Sequence, residues 1–340
     1  MNFAHIIMKN KFLYFLNRNF IFYDVGARSG LEEPWKSYRN LIDVVSFEPD
    51  LQEYEELKKN KKERDIVLPY ALLKEENKVN LNFTKNKGCT SIYEPNNVFL
   101  KQFPDVDRFM VEEKKIVDTT TLDILFEKKV LEEMDFIKLD TQGAELDILM
   151  GGEKILDEKI LGVQVEVEFK RMYRSQPLFC EVDMFIRDKF GLVLFDIRKT
   201  YWKFKEGRGK GPSKGQLIFG DALYFRDPYE IPKWCEQFNI EEAKNKIIMA
   251  CLMGIIYGYP DYSISVLNQP TINKRLGVKL NNKLRSLIIQ HSRCIKFSFL
   301  GSRKIWKIAN LLSKIFEPDH DGWATAERHL GSRKKFGIYY

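Results

Sequence analysis

Phe20-Ile21-Phe22-Tyr23-Asp24-Val25-Gly26-Ala27-Arg28-Ser29-Gly30 decides how this 340-residue chain is read. An apolar run ends on an acid and then meets two glycines. Such a run predicts a buried strand that passes through a tight turn into a helix. In a doubly wound α/β sheet, ligands bind outside the carboxyl ends of the strands, where turns of this kind lie. Gly26 and Gly30 carry no Cβ, so a ligand can approach the backbone there. The spacing is Asp-x-Gly-x-x-x-Gly. It is not the Gly-x-Gly-x-x-Gly of a dinucleotide turn, whose glycines and helix N-terminus hold a pyrophosphate. A ligand with a nucleoside but no phosphate suits it better.

Working outward, Val44-Val45-Ser46-Phe47-Glu48-Pro49-Asp50 reads as a second buried strand ending in an acid. Glu48 lies about 20 residues past the turn, the spacing of a carboxylate that accepts from ribose hydroxyls. Ile66 to Leu72 reads as a third strand with a loop that would lie over an adenine. Met134 to Asp140 is a further buried strand. It runs through Thr141-Gln142-Gly143-Ala144-Glu145 into a helix stopped by Gly151-Gly152. Any one of these acids is explained by a solvated strand end or an Asx turn. Asp24, Glu48 and Asp140 together favour an adenosine site, and S-adenosylmethionine is an adenosine ligand without phosphate.

Gly162 to Phe169 alternates, with Gln164, Glu166 and Glu168 on one face and valines on the other. A central parallel strand is normally apolar on both faces, so the polar row is costly unless it lines a site. The alternative is an exposed edge strand. A helix over 178–190 follows, then strands at 192–195 and 216–225 joined without a helix, which suggests an antiparallel finish. Gly88 to Ile92 is irregular and placed to close over a pocket. The Gly207–Gly215 loop, with Arg208, Lys210 and Lys214, matches no P-loop and reads as a hairpin connection.

The length suits one large α/β domain with a smaller appendage. The expected divisions are a lead-in over 1–19, the α/β domain over 20–227, a helical basic region over 228–317 and an irregular tail over 318–340. The five cysteines are scattered without Cys-x-x-Cys, which fits a reducing cytoplasm. The four histidines show no ligand spacing, and no apolar run reaches a signal-peptide core or a membrane span. The formal net charge is +7, and eleven Lys/Arg without a single Asp or Glu lie between Asn268 and Phe316. The basicity therefore belongs to that segment. Within it, 304–316 forms an amphipathic cationic helix with Ile305, Ile308, Leu312 and Ile315 on one face. Such a helix lies in a membrane interface or packs on its own domain. Nucleic acid ranks lower as a partner, because no recognised motif is present.

These residues resemble the FkbM-type S-adenosylmethionine-dependent methyltransferases. The likeness rests on Tyr23 to Gly30, on Phe47-Glu48-Pro49, and on Ile137-Lys138-Leu139-Asp140-Thr141-Gln142-Gly143-Ala144-Glu145. It continues through the Glu166 strand to Gly220-Asp221-Ala222-Leu223-Tyr224. The resemblance implies a Rossmann-like class I methyltransferase fold, with a mostly parallel seven-stranded sheet, helices on both faces and a helical basic C-terminal extension. It implies methyl transfer, usually to oxygen, on a saccharide, a glycolipid precursor or a related small molecule. Asp24, Gly26, Ser29, Gly30, Glu48, Pro49 and Ala71 are the expected cofactor-binding residues. Asp140, Glu166 and Glu168 are the candidate general bases. A divalent metal between Asp140 and Glu166 suits two strand-end carboxylates, though the sequence does not require it. Arg28 and Gln142 depart from the family pattern, which has a small or amide residue and commonly a glutamate there. The rival readings are a nicotinamide-dependent oxidoreductase, against which the missing pyrophosphate turn argues, and a non-catalytic membrane- or glycan-binding scaffold. The expected location is the cytoplasm or the cytoplasmic face of a membrane.

Overall fold

The computed structural model describes residue 12 and residues 14–207, 214–292, 302–315, 322–327 and 330. Arg208 and Lys210 of the glycine-rich loop, and most of the expected lead-in and tail, lie outside the described residues. The strands are β1 (Phe20–Val25), β2 (Ile42–Phe47), β3 (Ile66–Leu68), β4 (Ala71–Leu72), β5 (Lys78–Thr84), β6 (Val111–Thr120), β7 (Phe136–Leu139), β8 (Gly162–Glu168), β9 (Leu192–Trp202), β10 (Gln216–Arg226) and β11 (Ala324–Ala326). Eight of them form the main sheet, in the order β11-β9-β10-β8-β7-β1-β2-β3. From β3 to β8 all neighbours are parallel, and β10 runs antiparallel to both β8 and β9. This is the Rossmann-like class I methyltransferase sheet, finishing with the antiparallel strand that the 216–225 run suggested.

Two expectations need correction. The sheet has eight strands, not seven. The extra one, β11, comes from the stretch read as an irregular tail. It pairs with Thr200, Tyr201 and Trp202 at the open edge of β9, where backbone groups would otherwise lack partners. Three residues of Ala-Thr-Ala are too short to announce a strand. The turn after β1 also does not open into an α-helix. Pro34 interrupts that segment, and only a 3-10 turn forms, Trp35–Tyr38.

The C-terminal helices fill the place of that helix. Helix α1 (Ile240–Ile256) is buried almost all round, as expected of a helix that is apolar on every side. Its side chains share one core with Phe22 and Phe136 of the sheet and with Trp35 and Tyr38. Gly162 permits the close approach, since a Cβ there would lie 2.9 Å from Met253 Sδ. A buried ion network fastens the helix. Lys246 Nζ donates to Asp135 Oδ1 at 2.7 Å and to the carbonyls of Met134 and Lys159. Arg18 clamps Asp135 and Glu242 from the other side. The opposite sheet face packs Tyr23, Ile137, Val163, Val165 and Val167 against the helices that follow β7 and β8. Strand β10 ends at Arg226, and the helices beyond it pack as a layer on the sheet. A second sheet, β4-β6-β5, lies beside the first.

Candidate active site

The turn after β1 is built for close approach. Gly26 has φ +77°, and a Cβ on it would sit 2.0 Å from the Asp140 carbonyl oxygen. The turns after β1 and β7 therefore touch through backbone. Between the ends of these strands, β2 and the 70–72 and 87–92 segments lies a cleft of about 250 Å³. Gly26, Ser29, Glu48, Pro49 and Ala71 line it, as do Gly88, Thr90 and Ile92 of the segment expected to close over a pocket. Asp24 and Gly30 are not in its wall. Asp24 is buried behind it, with Oδ1 3.6 Å from Lys138 Nζ and lacking any hydrogen bond among the described residues. Gly30, at φ +74°, faces Leu57.

Glu48 accepts the Asp50 N–H at 3.0 Å through Oε1. Burial pushes its carboxyl up to about 7, and the Asp50 N–H and the Arg28 charge only partly offset that. Arg28 also lines the cleft. Its guanidinium binds Asp50 and Glu53, which ties the glycine turn to the start of helix Leu51–Asn60.

The Asp140–Glu145 turn forms the far wall. Gln142 and Gly143 both have positive φ, +58° and +116°. Glu145 holds this shape by accepting from the backbone N–H groups of Thr141 and Gly143 and from the Thr141 hydroxyl. The conspicuous acid of the motif is therefore engaged in the turn itself. Burial nevertheless pushes it up to about 7.

Asp140 lines the cleft, and about a third of its side chain is exposed. Lys138 Nζ lies 3.6 Å from its Oδ2. Burial works against the Lys138 charge, but Asp24 and Asp140 outweigh it and hold the amine protonated. Glu166, on the neighbouring strand β8, is buried. Gln142 Nε2 bridges the two acids, donating to Asp140 Oδ1 at 3.2 Å and to Glu166 Oε1 at 2.7 Å. The Gln142 carbonyl oxygen in turn lies 3.1 Å from the Tyr173 hydroxyl. A glutamate at 142 would place three carboxylates together, so the amide is what lets Asp140 and Glu166 be neighbours. Glu168 is buried away from the cleft. Burial first, then the adjacent acids, raise both Glu166 and Glu168 well above the usual carboxylate range. Beyond them Asp221 is paired with Arg198 at 2.7 Å. Among the described residues, no group of three or more His, Cys, Asp or Glu is placed to hold a metal ion.

Sequence reasoning missed Lys138, Arg28 and Gln142 as parts of the site. Lys138 carried a readable signal, because a lysine inside the buried run Phe136-Ile137-Lys138-Leu139 needs anionic partners.

No curated protein matches the chain in sequence. Among solved structures, a precorrin-6y C5,15-methyltransferase from Geobacter metallireducens is 10% identical, with 65% of this chain and 87% of that chain covered and a TM-score of 0.32. The magnesium protoporphyrin IX methyltransferase of Synechocystis, solved with bound S-adenosylmethionine, is 8% identical over 66% and 85%, with a TM-score of 0.32. TrmK of M. capricolum, in complex with S-adenosylhomocysteine, is 9% identical over 86% and 97%, with a TM-score of 0.29. These likenesses are distant, and the fold rests on the strand order above. The family comparison is direct: residues 24–190 match the methyltransferase FkbM domain, from the acid of the first strand to the end of the helix after β8. Residues 24–190 are thus an FkbM methyltransferase domain, and the cofactor is S-adenosylmethionine.

Proposed function

We propose that this protein methylates a hydroxyl group of a saccharide or a related small polar acceptor, with Asp140 as the general base. The observation that carries this reading is the position of Asp140. Of the three candidate carboxylates it alone lines the cleft, at the opposite side from Glu48, Pro49 and Ala71. The cleft fits S-adenosylmethionine in its chemistry. Glu48 offers a largely buried acceptor to a ribose diol, and among the described residues its Oε2 has no hydrogen bond. The lining mixes Glu32, Glu48, Asp50 and Asp140 with Arg28, Lys87 and Lys138, so carboxylates are at hand for a sulfonium and an ammonium group.

S-adenosylmethionine supplies an electrophilic methyl on sulfur and retains the electron pair of the broken bond as a neutral thioether. The chain's own residues bind, orient and manage the proton. Asp140 accepts the proton of the acceptor hydroxyl as the new O–C bond forms. Lys138 places its ammonium 3.6 Å from Asp140 Oδ2, and Gln142 orients Oδ1. Burial raises Glu166 well above the usual carboxylate range, which disfavours a second negative charge beside it.

The test is calorimetric titration with S-adenosylmethionine, S-adenosylhomocysteine and NAD, followed by transfer of labelled methyl to saccharide acceptors. Binding of the two sulfur ligands, with transfer lost in Asp140→Asn while binding persists, supports the reading. Undiminished transfer by Asp140→Asn overturns the base assignment. Label appearing only on nitrogen or carbon overturns the acceptor class.

A further inference from the structure

Ser302–Ile315 forms a separate helix, α2, in the most basic part of the chain. Ile305, Ile308, Leu311 and Leu312 are between 48% and 59% exposed, and Trp306 is 65% exposed. None of them belongs to any of the three hydrophobic cores. At the 100° step of an α-helix these four aliphatic residues share one face, and Lys307 flanks it beside Leu311. Trp306 lies on the opposite face. Lys304 sits beside Leu311 on the apolar side, at the first turn, where its four-carbon stem lets the ammonium reach outward. An apolar stripe left facing water on a short cationic helix asks for a partner.

We propose that α2 docks the protein flat on an anionic lipid bilayer. Two features select this partner. The helix has 14 residues, roughly 21 Å of length, and no described helix is long and apolar enough to cross a membrane. It therefore lies in the interface plane, with aliphatic side chains below the headgroups and lysines among them. Eleven basic residues and no acid between 268 and 316 complement a negative surface, and they repel a basic one. A nucleic acid would use the lysines and leave the stripe wet. The proposal does not depend on which acceptor is methylated, because lipid binding is read without turnover.

The test is vesicle flotation of the full chain at two ionic strengths. One set of vesicles is phosphatidylcholine alone, and the other includes phosphatidylglycerol. Binding to the anionic vesicles should be at least about tenfold stronger and should weaken with salt. Ile308→Asp with Leu312→Asp should abolish it, and Lys304→Glu with Lys307→Glu should reduce it at least about tenfold. All positions are exposed, and circular dichroism with S-adenosylhomocysteine titration verifies that the domain is intact. Equal binding by wild type and the aspartate double variant overturns the proposal, as does absence of binding to anionic vesicles. Capture of RNA that survives Ile308→Asp with Leu312→Asp but not the charge reversal would reassign the segment to nucleic acid.

Discussion

Cofactor affinity should depend on pH with a midpoint near 7, and Glu48 should be the cause. Burial raises its carboxyl to about 7 in the protein without ligand. A ribose diol donates two hydrogen bonds and needs an ionised acceptor, so binding selects the deprotonated form. With a midpoint near 7, about one tenth of the protein is competent at pH 6 and about nine tenths at pH 8. The dissociation constant for S-adenosylhomocysteine should therefore rise about tenfold from pH 8 to pH 6, or ~1.4 kcal/mol. The same shift has a sign for folding. An unfolded Glu48 loses its proton near 4.5 and the folded one near 7. Between these values the native state binds more protons, so stability of the free protein falls as pH rises through that window. Saturating cofactor, by lowering the carboxyl again, should flatten that fall. Calorimetric titration at pH 6, 7 and 8 measures the effect. Glu48→Gln should bind more weakly at pH 8 and show a flat profile. Constant affinity of the wild type across the range, or an unchanged profile in Glu48→Gln, would refute the assignment.

Lys246→Met should cost about 3–5 kcal/mol in urea denaturation, because it leaves a buried Asp135 oxygen and two carbonyls without their donor. Burial would raise Asp135, but Lys246 and Arg18 hold it down to about 2. Its contribution to stability is present above about 4. It is lost as pH falls toward 2, and the variant should start losing it at higher pH. Gly26→Ala should abolish measurable S-adenosylhomocysteine binding, since the new Cβ meets the Asp140 carbonyl at a positive φ; binding within a factor of three of wild type would contradict the close contact. Gln142→Glu should move the rising limb of the pH–rate profile upward by about one unit or more, because a third carboxylate disfavours ionised Asp140; Gln142→Asn or →Met should not move it in that direction.

The readable parts of the fold were the local ones. The runs that became β1, β2, β7 and β8 each ended where an apolar stretch met an acid or a turn. Thr121 caps the helix after β6 through the Ile124 N–H, a residue type that favours that place. The unreadable parts depend on distant partners. Nothing in Ala324-Thr325-Ala326 specifies a strand until the edge of β9 is beside it. Nothing in the turn after β1 says that its missing helix will be replaced by residues more than 200 positions later. The unbroken apolar run 247–256 of α1 was the available clue, because a helical stretch with no polar face must be covered on every side.

The polar row of β8 shows how the two halves of the reading join. All seven residues of β8 are buried between β7 and β10, so the edge-strand alternative fails. The register explains why the polar row is tolerated. Asp24 is level with Lys138 and Lys138 with Gln164, while Glu166 is level with Asp221 and Asp221 with Arg198. Two residues earlier on the same face stand Phe22 and Phe136, under α1. One sheet face is therefore apolar at one end and ionic at the other. The change occurs at Gln164, whose amide oxygen accepts from Tyr257 at the end of α1, and the Tyr257 hydroxyl accepts from Trp35. Those hydrogen bonds end the apolar layer with its polar groups satisfied. The site's acids begin one register step further on. The helices beyond residue 227 thus do more than cover the sheet. By stopping at Tyr257 they fix how far the dry core extends, and with it which strand-end carboxylates reach the cleft.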